Sequence, residues 1–491
     1  MLFKMRSPWV RLSATGTVVE TLYEAIYDDG GVNGRRDAMG RIVRKTERMV
    51  ESDEPVAGAR PLMSKTFDYG YNPEGRPWLE SVAVNGALIS SFRYDANGNR
   101  IAAELTPSLL GYDAANDSTI TEADTAYDVA DKLLRYGTKS YIWNNFGQLA
   151  SVIDSATRET TGFEYDLFGN LLSVALPDGR AIEYDVDGAG RRVGRRVLDS
   201  AGNELEFRGW IYRDLLRPIA ELDAMGNVIA RYVYADGEGA RQNGVSQLST
   251  RLGANQDTSL PSTGSNVPEL IELLSSSGAV TQRLRLITNQ VGTVEAVVDV
   301  NSSAILQRVE YDEFGRVLFD SNPGLQPFGF AGGLADIDTR LVRFGARDYD
   351  PGVARWTSRD PVRFQEPTPN QMSYVSNDPI NRTDANGLIS QIDHCMRNRL
   401  NRCPRKEPSN SECGPNNQQD FKKTKYPGVG EKYRSPDGSE CAYDDKGDLL
   451  PDDGSYSYNY GTDPLSSDHI VKDVIPDLLW GKCYAGGPTV Y

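Results

Sequence analysis

The chain has 491 residues with 69 acidic against 53 basic side chains, a net charge of -16, and room for two to four domains with cores of their own. That balance excludes non-specific nucleic-acid binding through the whole surface, which needs a basic face, and no run of about 18 apolar residues offers a membrane span. With 47 Gly, 26 Pro and 25 Tyr against 14 Phe, the composition points to mainly β structure, many short strands joined by turns.

The start, MLFKMRSPWVRLSATG, has a basic flavour but no apolar core of a signal peptide, so nothing in it directs classical secretion. Beyond it a short pattern recurs: an aromatic residue, Asp or Asn, two free positions, Gly, a polar residue and an apolar one. It reads at Tyr71-Asn72-Pro73-Glu74-Gly75, Tyr94-Asp95-Ala96-Asn97-Gly98 and Trp143-Asn144-Asn145-Phe146-Gly147. It returns at Tyr165-Asp166-Leu167-Phe168-Gly169, Tyr184-Asp185-Val186-Asp187-Gly188 and Tyr311-Asp312-Glu313-Phe314-Gly315, with weaker copies around Gly40 and Gly226.

The Asp or Asn side chain bonds the turn backbone and the Gly supplies a positive φ, while alternating residues on either side make strands, so each copy is a β-hairpin. Repetition at about 20 residues or a multiple makes a repeat array. Such hairpins bury their apolar faces only by stacking, which predicts a curved or closed β shell. From 236 to 268 the alternation gives way to Gly, Ser, Asn and Thr, predicting a flexible loop or insertion. Strand texture resumes at RLRLITNQVGTVEAVVDV.

A denser set of motifs closes this part of the chain: Gly329-Phe330-Ala331-Gly332, Arg347-Asp348-Tyr349-Asp350-Pro351 and Arg359-Asp360-Pro361. Tyr374-Val375-Ser376-Asn377-Asp378-Pro379-Ile380-Asn381 and Asp384-Ala385-Asn386-Gly387-Leu388 follow. The repeat resembles the YD repeat of bacterial Rhs proteins, of the C components of insecticidal toxin complexes and of teneurins. The closing motifs resemble the Rhs-associated core, usually written G-F-A-G, R-Y-Y-D-P, D-P-I-G, Y-V-x-N-x-P-x-N and D-P-x-G-L. Here Arg363 stands where the third motif has Gly, and Ala385 replaces Pro in the last.

The resemblance implies a spiral shell and, inside the core, an aspartic-protease-like pair that cuts the chain after the closing leucine to free a variable C-terminal domain. By motif position the pair is Asp360 and Asp384, and the scissile bond is Leu388-Ile389. The chemistry is coherent, since one carboxylate activates water while its protonated neighbour donates to the departing amide. Arg359, beside Asp360, is the expected supporting cation. Asp350 and Asp378 are the rivals by composition.

Both histidines and all five cysteines follow residue 388. The cysteines lack CxxC spacing, so no metal site or cofactor is assigned. Within the tail, a helix starting near Ser466 or Ser467 would set His469 and Asp473 on one face, with Asp468 and His394 as further candidates. A basic run, RNRLNRCPRK, leaves nucleic acid open as a partner.

The domains expected are a YD-repeat shell over 1–235, a loop or insertion over 236–268, a core with the self-cleavage motif over 269–388, and a variable domain over 389–491, its fold open between α+β and others. The expected function is a YD-repeat carrier of a toxin-like effector, exported or surface-associated by a non-classical route. The alternative is a non-catalytic surface, adhesion or structural protein with an inert extension. Expected partners are the chain's own C-terminal domain as cargo, an immunity protein, and a second shell-forming chain or secretion-system component, since a 100-residue domain alone has a radius of gyration of about 13 Å.

Overall fold

The computed structural model describes residues 18–28, 31–234, 266–360 and 370–388 apart from 38, 55–58 and 75, with short strands at Met5–Arg6, Trp9–Leu12, Gln391–Ile392 and between 422 and 442. Mainly β structure is what it holds. Ten strands form one antiparallel sheet from Met5–Arg6 to Ser118–Ile120, and sixteen form a second from Thr125–Tyr127 to Val317–Asp320, in which each strand pairs with the next in sequence. The chain divides into two compact units, Met1–Asp393 and His394–Tyr491. Of the second, the described part is an antiparallel sheet of Lys422–Tyr426, Val429–Arg434 and Glu440–Ala442. The segment read from sequence as a loop lies, from 236 to 265, outside the described residues.

The hairpin turns share one hydrogen-bond set. Asp95 Oδ1 accepts from the backbone N–H of Asn97 and of Asn99, both at 2.9 Å, while Gly98 at φ +80° donates its N–H to the Asp95 carbonyl. Asp166, Asp199, Asp223 and Asp312 repeat this at their own turns, and Asn144 and Asn289 do so with an amide. At one copy the register differs from the sequence reading. The turn aspartate is Asp187, whose Oδ1 accepts from Ala189 and Arg191, and the positive-φ glycine is Gly190, whereas Tyr184 and Asp185 lie in the strand Ala181–Val186. Asp185–Gly188 and Asp187–Gly190 have the same spacing, and the hydrogen bonds and the positive φ fall on the second pair.

The aromatic residue of several copies has its own task. Tyr94 donates its hydroxyl to the Leu79 carbonyl at 2.8 Å, Tyr127 to Arg100 at 2.7 Å and Tyr212 to Arg192 at 2.9 Å, and the Trp143 indole N–H does the same to Leu133 at 2.6 Å. Each acceptor opens a strand just after the preceding turn, so these four repeats are pinned to the one before them. A buried hydroxyl needs such a partner, and the ring supplies apolar area between neighbouring hairpins.

Late strands pack on the first sheet. One hydrophobic cluster joins Tyr23, Ile42, Val82 and Phe92 to Ile287, Val298 and Phe314. At the same junction Ile305 donates its N–H to the Asp53 carbonyl at 2.9 Å, and Arg60, paired with Glu20 at 2.7 Å, reaches the Ser303 carbonyl.

Residues 334–356 fold into a small four-stranded sheet, and the described residues that follow it, 357–360 and 370–381, lie with it across the turn tips of both large sheets. Arg343 reaches Asn170 at 3.0 Å, Asn370 reaches Asn99 at 2.8 Å, and Asn377 reaches the Gly98 carbonyl at 2.8 Å. Asn381 accepts from the Ile42 N–H at 2.8 Å. Val375, Ser376 and Asn377 all hold positive φ, between 43° and 57°. For a β-branched valine that is strained, at about 1–3 kcal/mol, and it aims Asn377 at Gly98.

Candidate functional site

Five aromatic rings, Phe330, Phe344, Tyr349, Trp356 and Tyr374, pack stacked, edge-to-face or tilted around one another, with Tyr349 and Tyr374 centroids 4.6 Å apart. Arg347, on the strand Arg347–Asp350, lays its guanidinium over the Trp356 ring at 4.0 Å. Aromatic packing thus fixes the direction of a buried cation, a contact worth about 0.5–2 kcal/mol in itself.

That cation holds both expected aspartates. Arg347 Nη2 lies 3.0 Å from Asp360 Oδ2 and 3.1 Å from Asp384 Oδ2, so the two carboxylates converge on one nitrogen. Both side chains are buried, Asp384 more completely than Asp360. Arg347 Nε donates to the Gly387 carbonyl at 2.5 Å and Nη1 to the Gln371 carbonyl at 3.3 Å. A planar guanidinium can make these contacts together because its donors form a rigid fork.

Asp384 itself sits in a turn built like those of the repeats. Gly387 donates its N–H to the Asp384 carbonyl at 3.2 Å, and Asp384 Oδ1 accepts from the Leu388 N–H at 3.0 Å. One oxygen closes the turn and leaves Oδ2 for Arg347. Gly387 has φ +66°, and a Cβ there would lie 2.3 Å from the Phe344 carbonyl oxygen. Gly345, at φ +43°, leaves room for Asn386 in the same way, so two glycines let the turn lie directly on the Arg347 strand.

Leu388 is the last described residue of this turn, and Ile389 lies outside the described residues. Slightly further on, Gln391–Ile392 pairs antiparallel with Arg382–Thr383. His394, Asp468, His469 and Asp473 of the tail also lie outside the described residues.

The bridging arginine is Arg347, and sequence reasoning chose Arg359 instead. Arg359 runs beside the turn glycine Gly147, where an added Cβ would meet its side chain at 2.8 Å. The signal for Arg347 was present, since it opens the Arg347-Asp348-Tyr349-Asp350-Pro351 motif.

Asp350 caps its own turn by accepting from the Gly352 N–H at 2.9 Å. Asp378, fully buried, accepts from Asn381 at 2.7 Å and lies 3.7 Å from Arg382. Burial pushes the Asp378 carboxyl up to about 6, against the opposing charge of Arg382. Neither rival reaches Arg347 in the described contacts. Tyr374 lines the same core, its hydroxyl pushed up by burial and then by the charge of Asp384. Among the described residues no group of three His, Cys, Asp or Glu side chains is placed to hold a metal, and no helix is long and apolar enough to cross a membrane.

The chain is 29% identical over 353 residues to teneurin-3 of Danio rerio, covering 70% of this chain and 11% of that protein, and 26% identical over 419 residues to teneurin-1 of Mus musculus, covering 82% and 13%. It therefore spans little more than a tenth of the length of those relatives. Among solved structures it aligns with TcdB2-TccC3 without its hypervariable C-terminal region at 13% identity and a TM-score of 0.37, over 78% of this chain and 20% of the other. The teneurin YD-shell profile matches residues 35–238 and 272–380, and the chain belongs to that family of YD-repeat shell proteins.

Proposed function

We propose that this chain is a YD-repeat carrier that cuts itself after Leu388 and releases residues 389–491 as an effector. The observation that carries the reading is the convergence of Asp360 and Asp384 on Arg347 Nη2, next to a turn whose Leu388 N–H is held by Asp384 Oδ1. With one proton between them, the two carboxylates and Arg347 are charge-neutral. The ionised carboxylate takes a proton from water as it attacks the Leu388 carbonyl carbon, and the protonated one donates to the departing Ile389 nitrogen. Arg347 orients both carboxylates and, through Nε, the Gly387 carbonyl one residue before the bond.

Under this reading the tail is toxin-like cargo, an immunity protein protects the producing cell, and the chain is exported. A second chain or secretion component completes the carrier.

A second reading is an uncut YD-shell protein in which the Asp360–Arg347–Asp384 bridge serves stability alone. Its support is that a buried arginine between two carboxylates, stacked on Trp356, is a sound structural clamp.

Intact mass under denaturing conditions separates the two. We expect a fragment beginning at Ile389 from the wild-type chain and none from Asp360→Asn or Asp384→Asn. A folded wild-type chain that stays at full length rules out self-cleavage by this chain alone.

A further inference from the structure

Where the first sheet meets the late strands, a cavity of about 150 Å³ opens between Tyr23, Lys45, Phe67 and Tyr69 on one side and Glu295 and Glu313 on the other. Pro379 and Ile380 of the core segment reach its wall. A cavity of that volume takes a molecule about the size of benzene. We propose that it is a binding site for a small organic cation, an alkyl- or arylammonium, held by the carboxylates of Glu295 and Glu313.

Charge matching within the walls singles out these two residues. Each cation lining the cavity already has an acidic partner: Lys45 lies 2.6 Å from Glu47, Arg316 lies 3.2 Å from Asp312, Lys65 pairs with Glu310, and Arg308 pairs with Asp53. Glu295 and Glu313 have no cationic nitrogen within salt-bridge reach among the described residues. Their neighbours are neutral donors: Ser90 Oγ donates to Glu313 at 3.1 Å, and the Tyr23 and Asn289 side chains stand beside Glu295.

Two buried carboxyls without a cationic partner give an anion no counter-charge and a neutral guest no ion pair, whereas an ammonium ion supplies the charge that lets them ionise. The Phe67 and Tyr69 rings add faces that favour an ammonium group, and Lys45 already stands 4.7 Å from the Phe67 centroid. No arrangement of three metal-ligating side chains occurs among the described residues, so an organic cation fits better than a metal ion.

Burial, reinforced by the charge of Glu47, raises the Glu295 carboxyl to about 8, and burial with the charge of Asp312 raises Glu313 to about 7, while Lys45 opposes both. The empty cavity therefore holds protons near neutral pH. A bound ammonium ion takes over their compensating role, so binding expels protons.

The test uses the full chain, with benzylammonium as probe and benzyl alcohol and benzoate as its neutral and anionic counterparts, followed by titration calorimetry in two buffers of different ionisation enthalpy. We expect saturable one-to-one binding of benzylammonium with proton release, and at least about tenfold weaker binding of the other two. Glu295→Gln and Glu313→Gln, which keep shape and hydrogen bonds, should each weaken benzylammonium by a similar factor. Ile89→Phe, which fills the cavity without touching its charges, should abolish it. The site is overturned if benzyl alcohol binds as tightly as the ammonium, if both Gln variants bind it unchanged, or if no benzylammonium binds. Self-cleavage plays no part in this test, so failure of either proposal leaves the other standing.

Discussion

Arg347 donates from Nε to the carbonyl of Gly387 at 2.5 Å, while its Nη2 holds Asp360 and Asp384. One side chain therefore fixes the two carboxylates and the backbone beside the proposed scissile bond. Lysine carries the charge but not the fork, and cannot make these contacts together. We expect Arg347→Lys to slow cutting by about 100-fold or more, the penalty typical of misplaced reacting groups. Cutting is followed by intact mass against time after refolding, with circular dichroism as a check on folding. A folded Arg347→Lys chain that cuts at the wild-type rate would reduce Arg347 to a structural clamp.

Gly387 gives a sharper test of the turn. Its φ of +66° disfavours any Cβ, and the one it would carry lies 2.3 Å from the Phe344 oxygen and 2.9 Å from the Arg347 nitrogen. Gly387→Ala must lift the turn off the Arg347 strand, at a cost of about 1–3 kcal/mol confined to this corner. The expected outcome is a chain whose repeats stay folded, with hydrogen exchange near 344–347 accelerated and cutting lost. Unchanged exchange there, with normal cutting, would contradict the close approach.

How much of this was legible in sequence depends on the range of each interaction. The hairpins were readable because Asp and Gly three residues apart make the whole turn locally, as at Asp95 and Gly98. The register slipped at Tyr184 because that stretch carries two aspartates and two glycines, and only the hydrogen bonds choose Asp187 with Gly190. The copy at Tyr127-Asp128 was passed over because Asp131 takes the positive φ that Gly normally takes. Asp360 and Asp384 were named from motif position and do meet at one nitrogen, but Arg347 was missed. Its partnership with Asp384 spans 37 residues and depends on how the small sheet stacks. The Glu295–Glu313 cavity had no sequence signal, since its walls come from strands far apart in the chain.

The stitch between repeats predicts a local effect. Tyr94→Phe removes only the hydroxyl that reaches the Leu79 carbonyl, and should lower the opening free energy of Leu79–Val84 and Ala87–Tyr94 by about 1 kcal/mol. Asp95→Ala removes the acceptor of two backbone N–H groups and of the Asn99 side chain, and should cost more, about 1–3 kcal/mol. Native-state hydrogen exchange resolves both, and the distant strand Val228–Val233 serves as an internal control that neither change should move.

Stability should pass through a maximum with pH, because two sets of carboxyls pull in opposite directions. At the turns, hydrogen bonds from the Asn203 side chain and backbone hold Asp199 below its ordinary value of 3.8, and Asn227 does the same for Asp223. A depressed carboxyl stabilises above its unfolded value, and that contribution is lost as pH falls through the folded one. Glu295 and Glu313 have the opposite sign. Burial raises them from 4.5 to about 8 and about 7, so their contribution is fully present below about 4.5 and is lost as pH rises through the higher values. The thermal midpoint should therefore fall on acidification below about pH 4, as the turn aspartates protonate, and also on alkalinisation between about pH 5 and 8, as Glu295 is forced to ionise beside Glu47. Glu295→Gln, which cannot ionise, should flatten the alkaline side and leave the acid side unchanged. A wild-type alkaline limb that survives intact in both Glu295→Gln and Glu313→Gln would mean that these buried carboxyls are not its source.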